Sequence, residues 1–386
     1  MVAEKWECRK VEMKDKALHV LCGLIFFAAL FLLGGCAPAK TPDLRYFWPL
    51  PVAGVEPKIE YRGFYQSTYD LKVNDDNWAD EVIWGKFPPR PLFSNPFDVA
   101  RTPDGRLLVT DVTENKTLVI DLATGQLRSL TNTEGEIHFV MMPIGVTAAA
   151  NGSIYVIEGL SSKVYQYNAG EELEAVVSKD LMLTRPVAVA VDNDRGLLYI
   201  LDTGAHNVVV SDLLGNLLFK FGQRGNAAEQ FNYPTDIALD ASGNIYVLDT
   251  LNFRVQVFDP SGHFLREFGE QGTADGSFQI PKGLAVSPQG DVYVTDAIAH
   301  HFVVFNNVGE YMMTLGDKAY HGDDGKVSPG GFLMPRGIHV DAKGGIWLVD
   351  GMNRMIHRFQ YLTNDYLEKF PILPDQVYSP PGTFAP

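Results

Sequence analysis

Six prolines at a nearly constant spacing constrain this chain more than any other feature. They stand at Pro96, Pro143, Pro186, Pro234, Pro281 and Pro335, separated by 47, 43, 48, 47 and 54 residues. An acidic residue follows each: Asp111, Glu158, Asp202, Asp249, Asp296 and Asp350. The offset is fifteen residues every time but the third, where the turn at Asp194-Arg195-Gly196 adds one. A period of this size marks a repeat architecture, in which each unit covers its neighbour's apolar face. Between proline and carboxylate each unit has a glycine turn: Asp104-Gly105, Asn151-Gly152, Ser242-Gly243, Gln289-Gly290 and Lys343-Gly344 match the third. Glycine there supplies the positive φ of a tight hairpin.

Each unit resolves into four short strands, clearest in the fourth: Ile237–Leu239, Ile245–Leu248, Val255–Phe258 and Phe264–Phe268. The second strand is apolar on both faces. One face carries Leu107, Ile154, Leu198, Ile245, Val292 and Ile346; the other carries Leu108, Tyr155, Tyr199, Tyr246, Tyr293 and Trp347. A half-exposed strand alternates with polar residues, so these sheets are covered on both sides. Radially packed four-stranded blades satisfy that and protect their edges, which predicts an all-β, six-bladed propeller. A sandwich has no fixed period, and β-helix rungs are much shorter. The segment Asn364–Phe370 aligns with Gly262–Phe268 and is expected to be the outer strand of repeat six. The ring would then close by packing alone, with the alternating Lys58–Tyr65 as an added strand at the rim.

Asp249-Thr-Leu-Asn252-Phe-Arg254-Val-Gln-Val-Phe-Asp259, followed by Phe268-Gly269 and Pro281-Lys-Gly283, resembles the NHL repeat. The likeness spans about 93–370, is close in repeats three to six and is weakest in repeat two, which has Glu158 and no Asn-x-Arg. It implies a six-bladed propeller and no particular reaction.

The N-terminus gives an address. Lys5, Arg9, Lys10, Lys14 and Lys16 precede an uncharged apolar run, Ala17–Leu33, that ends in Leu33-Gly34-Gly35-Cys36. The run is short for a membrane span and closes on small residues, like a signal peptide, and its ending resembles the lipobox of bacterial lipoproteins. The alternative is an uncleaved anchor helix. Met13 offers a shorter leader than Met1. The expected organisation is a signal peptide at 1–35, a tether with the rim strand at 36–92, the propeller at 93–370 and a tail at 371–386. Cleavage would remove Cys8 and Cys22 and leave one cysteine, Cys36, to carry lipid, so no disulfide is expected. Ala37 after the cysteine is compatible with outer-membrane sorting, facing the periplasm or the cell surface. The mature chain would hold 27 basic and 43 acidic residues, a net charge of −16. That field repels phosphate backbones and disfavours nucleic acid.

Candidate sites separate by regularity. The six carboxylates recur in every repeat, as a structural device would, accepting loop N–H groups. At about 4.8 Å between strands they stand too far apart to share an ion. The column Phe93, Val140, Leu183, Phe231, Phe278 and Phe332 reads as core. His206, His300 and His301 lie on loops two blades apart, with His321, Asp323 and Asp324 as helpers, too dispersed for a zinc site. His339, on an innermost strand, is expected to be packed and hydrogen-bonded.

Irregular positions are better pointers to a ligand. The residues after the prolines, expected at a channel mouth, are Phe97, Ile144, Val187, Thr235, Lys282 and Arg336. With Arg254, His300, His301 and Arg354 on neighbouring loops they form a candidate anion-binding face, suited to a carboxylate or acidic peptide. The alternative is salt bridging to the acidic ring.

The leading reading is a non-catalytic binding scaffold for an envelope protein, peptide or small acidic ligand, monomeric, without cofactor or metal. The resemblance also admits a metal-dependent enzyme with an ion at the channel mouth, a lactonase or a peptidyl-hydroxyglycine lyase; no ligand set aligns with either. A quinone-dependent dehydrogenase shares only the blade count. The lipobox makes the first testable claim: Cys36→Ser abolishes acylation and leaves unprocessed precursor in the inner membrane. Normal acylation and cleavage of that variant, read by mass, would overturn it.

Overall fold

Side chains that are apolar on both faces of a strand need cover on both faces, and the second strands receive it. Leu107–Asp111, Ile154–Glu158, Ile245–Asp249, Val292–Asp296 and Gly345–Asp350 are buried along their whole length. All twelve residues of the two expected columns are at most 1% exposed. The computed structural model describes residues 45–49, 56–71, 90–130, 141–319, 328–373 and 376–377. The leader, Cys36, Val140, His321, Asp323 and Asp324 lie outside the described residues. The larger of the chain's two units, Arg45–Ile372 with Tyr378–Pro386, holds the propeller.

Five blades are antiparallel four-stranded sheets in chain order. Blade four, for example, runs Asp236–Leu239, Ile245–Asp249, Arg254–Phe258 and Phe264–Phe268. The six innermost strands are Pro96–Arg101, Pro143–Ala148, Pro186–Asp192, Asp236–Leu239, Pro281–Val286 and Pro335–Val340. Each lies against the next, and the sixth lies against the first. The core therefore sits between blades: Tyr246, Leu248, Val255 and Val257 of blade four pack on Leu284, Val292, Val294 and Val303 of blade five. The described members of the phenylalanine column are core as expected, with Phe93, Phe231, Phe278 and Phe332 at most 2% exposed. Glycines at blade ends admit them. A Cβ on Gly222 would lie 2.3 Å from the Phe231 ring, and one on Gly269 2.5 Å from Phe278. Both backbones have positive φ, so a side chain is excluded twice.

Closure differs from the expectation. Asn364–Lys369 is a short α-helix, not the outer strand of blade six, and its N-cap Thr363 accepts from the Tyr366 N–H. The outer strand is Ile59–Tyr65, antiparallel to Met355–Tyr361, so sheet order in blade six places an N-terminal strand outside three C-terminal ones. Tyr46–Trp48 pairs beyond it. The strand at Lys58–Tyr65 thus seals the ring with backbone hydrogen bonds instead of decorating its rim. Glu60 fastens it. Its carboxylate is 1% exposed, takes a bidentate pair from Arg45 at 2.7 and 2.8 Å, and accepts from the Tyr366 hydroxyl at 2.9 Å. The helix that displaced the expected strand therefore holds the strand that replaced it.

Packing between blades predicts a cost for loosening it. Tyr246 is 1% exposed and its hydroxyl accepts from Arg266 at 3.0 Å. Tyr246→Ala should lower unfolding stability by roughly 3–5 kcal/mol in denaturant titration. A loss below about 1 kcal/mol would contradict the buried column.

Candidate functional site

The loops at one end of the ring are held by the repeated carboxylates. Asp296 Oδ2 accepts from the N–H groups of Gln279 and Ile280 at 2.6 and 3.1 Å, and Oδ1 from Ile298 and Ala299 at 3.1 and 3.0 Å. It thereby joins the loop entering its blade to the loop between its second and third strands. Asp111 takes Ser94, Asn95, Thr113 and Glu114 in the same way, and Asp202 takes Thr184, Arg185 and Ala205. The structural reading of this ring is the one the hydrogen bonds describe. Glu158 does the same work in repeat two with a longer arm, accepting from the Met141 N–H at 2.8 Å and from the Ser161 hydroxyl.

Loops fixed in this way set the start of each innermost strand. All six residues after the prolines, Phe97, Ile144, Val187, Thr235, Lys282 and Arg336, line one cavity of about 310 Å³ at the channel mouth. Arg185, Thr203, Ala297 and Met334 complete much of its wall. Neighbouring hydroxyls hold the backbone under the cations: Thr235 donates to the Lys282 carbonyl at 3.2 Å, and Thr295 to that of Arg336 at 2.6 Å. Among the described residues Arg185 and Lys282 have no side-chain hydrogen bond or ion pair. Arg336 donates to Asn95 Oδ1 at 2.9 Å and lies 5.2 Å over the Phe97 ring, without a carboxylate. Burial lowers the Lys282 pKa, and repulsion from Arg336 and Arg185 lowers it further. Burial also lowers that of Arg336.

Below the mouth lies a second cavity of about 250 Å³ inside the ring. Asp98, Ala188 and Asp236 line both, so they form the neck. Blades one and four face each other across a six-bladed ring, and their carboxylates are held alike. Asp98 accepts from Val99 and Val146 N–H at 2.8 and 2.9 Å; Asp236 accepts from Ile237 and Leu284 at 2.8 and 2.7 Å. Each is enclosed by the ring yet keeps part of its surface open to the channel. Burial pushes the Asp98 pKa up to about 7, against the backbone donors. Asp236 is also raised, by burial and then by the charge of Asp98. His339 faces the lower cavity, and burial lowers its pKa to about 4. The expectation of a packed, hydrogen-bonded His339 is corrected: among the described residues its imidazole has no hydrogen bond, because it borders the cavity inside the ring.

The remaining candidates stand at the same end of the blades but outside the mouth cavity. Arg254 is 8% exposed, and its guanidinium pairs with Asp249 at 3.0 Å and Glu267 at 2.8 Å and donates to the Ala227 and Gln230 carbonyls. All three of its guanidinium nitrogens are therefore engaged within the protein. His300 and Arg354 are turn residues. With Asn115, Ser162, His206 and Phe253 they precede the third strands at φ of 52 to 59°, an uncommon region for non-glycine residues. His300 Nδ1 accepts from the Met334 N–H at 3.1 Å. His301 is half-buried, and burial lowers its pKa. Arg354 is exposed. The structure thus brings Lys282 and Arg336 together, adds Arg185, Asp98 and Asp236, and leaves Arg254, His300, His301 and Arg354 apart.

The added residues had a signal in the sequence. Immediately before the prolines stand Asn95, Met142, Arg185, Tyr233, Ile280 and Met334, with one charge among them. Two positions after the prolines stand Asp98, Gly145, Ala188, Asp236, Gly283 and Gly337, two carboxylates among four small residues. The irregularity that singles out Lys282 and Arg336 recurs one place to either side.

Comparison with known proteins agrees with this architecture. The sequence model of the NHL repeat matches residues 231–258 and 278–305. No curated protein matches the chain by sequence. Among solved structures, the chain is similar to a gluconolactonase from Xanthomonas campestris at 13% identity and TM-score 0.52, covering 82% of this chain and 98% of that one. It is also similar to an auxiliary nutrient binding protein from Bacteroides thetaiotaomicron at 16% identity and TM-score 0.52, covering 70% and 69%. A virginiamycin B lyase from Staphylococcus aureus, in an inactive form with quinupristin, aligns at 13% identity and TM-score 0.51, covering 69% and 95%. At such identities the likeness is one of fold. The chain is a six-bladed β-propeller that carries NHL repeats.

Proposed function

We propose that this chain is a lipid-anchored binding protein of the bacterial envelope that takes an anionic group into the mouth of its propeller. One observation carries the reading: three cations, Arg185, Lys282 and Arg336, converge on one cavity without a carboxylate partner, in a chain of net charge −15. Like charges collected at a partly desolvated site cost free energy until an anion arrives. The cavity is at the lower end of the size range of small-molecule pockets, about 300–1,000 Å³, and most of the rest of its wall is apolar. A catalytic reading has one feature of its own, the neck carboxylates, since a group that titrates near neutral pH can exchange protons with a bound molecule. The folds it resembles include a binding protein and two enzymes, so fold does not divide the readings.

Charge reversal tests the mouth. Lys282→Glu and Arg185→Glu should melt no lower than the parent, since neither side chain has a hydrogen bond or ion pair to lose and the change relieves repulsion among the mouth cations. Their affinity for simple mono- and dicarboxylates, measured by calorimetry, should fall at least tenfold. The deficit should be larger at low salt, where screening over about 8–10 Å is relaxed. Unchanged carboxylate affinity in well-folded variants would remove the anion from this site.

The neck gives a second measurement, with a definite sign. Raised carboxyl pKa values mean that the folded chain keeps protons which the unfolded chain releases near pH 4. Stability then falls as pH rises from about 4 through about 7. His339 and His301 are depressed and act oppositely below about pH 6.5. From about pH 6.5 to 8 the neck dominates, so melting temperature should decline across that interval. Asp236→Asn should flatten the decline, because it removes one of the two raised carboxyls. A melting temperature that rises through neutrality, or an unchanged slope in the variant, would contradict the neck as described.

A further inference from the structure

The mouth cavity has a basic end and an acidic end, and neither is paired with an opposite charge of the protein among the described residues. We propose that its ligand is a small zwitterion, an α-amino acid or short peptide, whose carboxylate meets Arg185 and Lys282 while its ammonium meets Asp98 and Asp236. The proposal rests on the anion-binding reading of the mouth and adds to it the class of molecule bound.

The neck carboxylates are not required by the fold. They occupy corresponding positions in blades one and four and make the same stitch, each to a backbone N–H of the following blade. Four other blades manage without it, with Gly145, Ala188, Gly283 and Gly337 at that position. Two opposed carboxylates across a narrow channel repel each other, so their presence needs another reason. Each accepts two backbone N–H groups and retains further acceptor capacity, a carboxylate having about four lone-pair sites. No lysine, arginine or histidine among the described residues donates to either. The neighbouring strand also makes room for one of them: a Cβ on Gly337 would lie 2.4 Å from Asp98 Oδ1.

The rim is the complement of this floor. Lys282 and Arg336 follow their prolines directly, and the neck aspartates stand one residue further along their own strands, so rim and floor differ by about one residue rise, roughly 3.3 Å. A molecule whose cation and anion are a few bonds apart spans that step, and about 310 Å³ leaves space for one or two side chains against the apolar wall. An ammonium at the floor removes the repulsion between Asp98 and Asp236. A carboxylate at the rim offsets the repulsion of Lys282 by Arg185 and Arg336. A simple anion relieves only the second and is repelled by the first.

Matched probes decide it on the native protein. Free amino acids and unmodified dipeptides would be titrated by calorimetry, each beside its N-acetylated and its C-amidated counterpart. The tightest unmodified binder should lose at least tenfold in affinity on either capping. Asp236→Asn should lose a similar factor for the unmodified probe and nothing for the N-acetylated one. If N-acetylation leaves affinity unchanged or raises it, the site takes anions only: the zwitterion proposal fails and the anion reading stands. Equal binding of the C-amidated probe, or binding of neither peptides nor simple carboxylates, overturns both. Should Asp236→Asn fail to fold, the capped probes on the unaltered chain still separate these outcomes.

Discussion

A buried carboxylate bonded to backbone N–H groups on two loops is the interaction on which the rest of this structure depends. Blades in a propeller touch mainly through side chains, and side-chain packing alone does not set how a loop enters the next blade. The acid at the end of each second strand does. It is 5% exposed or less in all six repeats, where an unsatisfied charge would be costly, and its hydrogen bonds remove that cost by tying down the entering loop. Because the loop is held, the residue after the proline stands at the channel mouth in every blade. A ring of structural carboxylates therefore creates a ring of positions whose side chains are free to vary.

Closure follows a different physical logic. Packing blade six on blade one would leave the seam no stronger than any other. Bringing Ile59–Tyr65 in as the outer strand adds a backbone ladder between distant parts of the chain, at the one place where no covalent connection passes. The Glu60 carboxylate, its two contacts to Arg45 and the Tyr366 hydroxyl then fix that strand to the helix that follows the last blade. Asn364–Phe370 resembles an outer strand residue by residue, yet Thr363 in front of it is an N-cap, and the strand position is taken. Local pattern describes what a segment can form; which of two segments occupies a shared edge is decided by pairing between the two ends of the propeller chain.

Legibility in the sequence follows the same division. Whatever recurs was readable: the period, the turns, the two buried columns of the second strands, the phenylalanine column and the carboxylate ring. Lys282 and Arg336 were readable as departures from a repeat. Arg254 was not, because its partners Glu267, Ala227 and Gln230 come from a neighbouring strand and an entering loop, and the identity of a cation does not reveal that it is already paired. His300 and Arg354 were ambiguous for a backbone reason, since every blade needs one residue of positive φ at that point and tolerates many types there. Asp98 and Asp236 also depart from their repeat, but only the ring, by placing their blades opposite each other, shows that the two departures face one channel.

Cost separates function from architecture in this molecule. Carboxylates of the repeated ring are bonded through both oxygens, and charge-assisted hydrogen bonds of that kind stabilise a fold. Those of the neck accept one backbone N–H on each oxygen, but they face each other and burial holds them toward the protonated form, which destabilises the fold at neutral pH. The mouth cations likewise repel one another within a surface rich in acid that would have paired with them. Residues that oppose stability at constrained positions of a repeat fold are expected where something else is bound, because the binding partner supplies the missing charge. Two such conflicts of opposite sign in one cavity, a residue apart along the strands, are resolved together by one molecule that carries both charges.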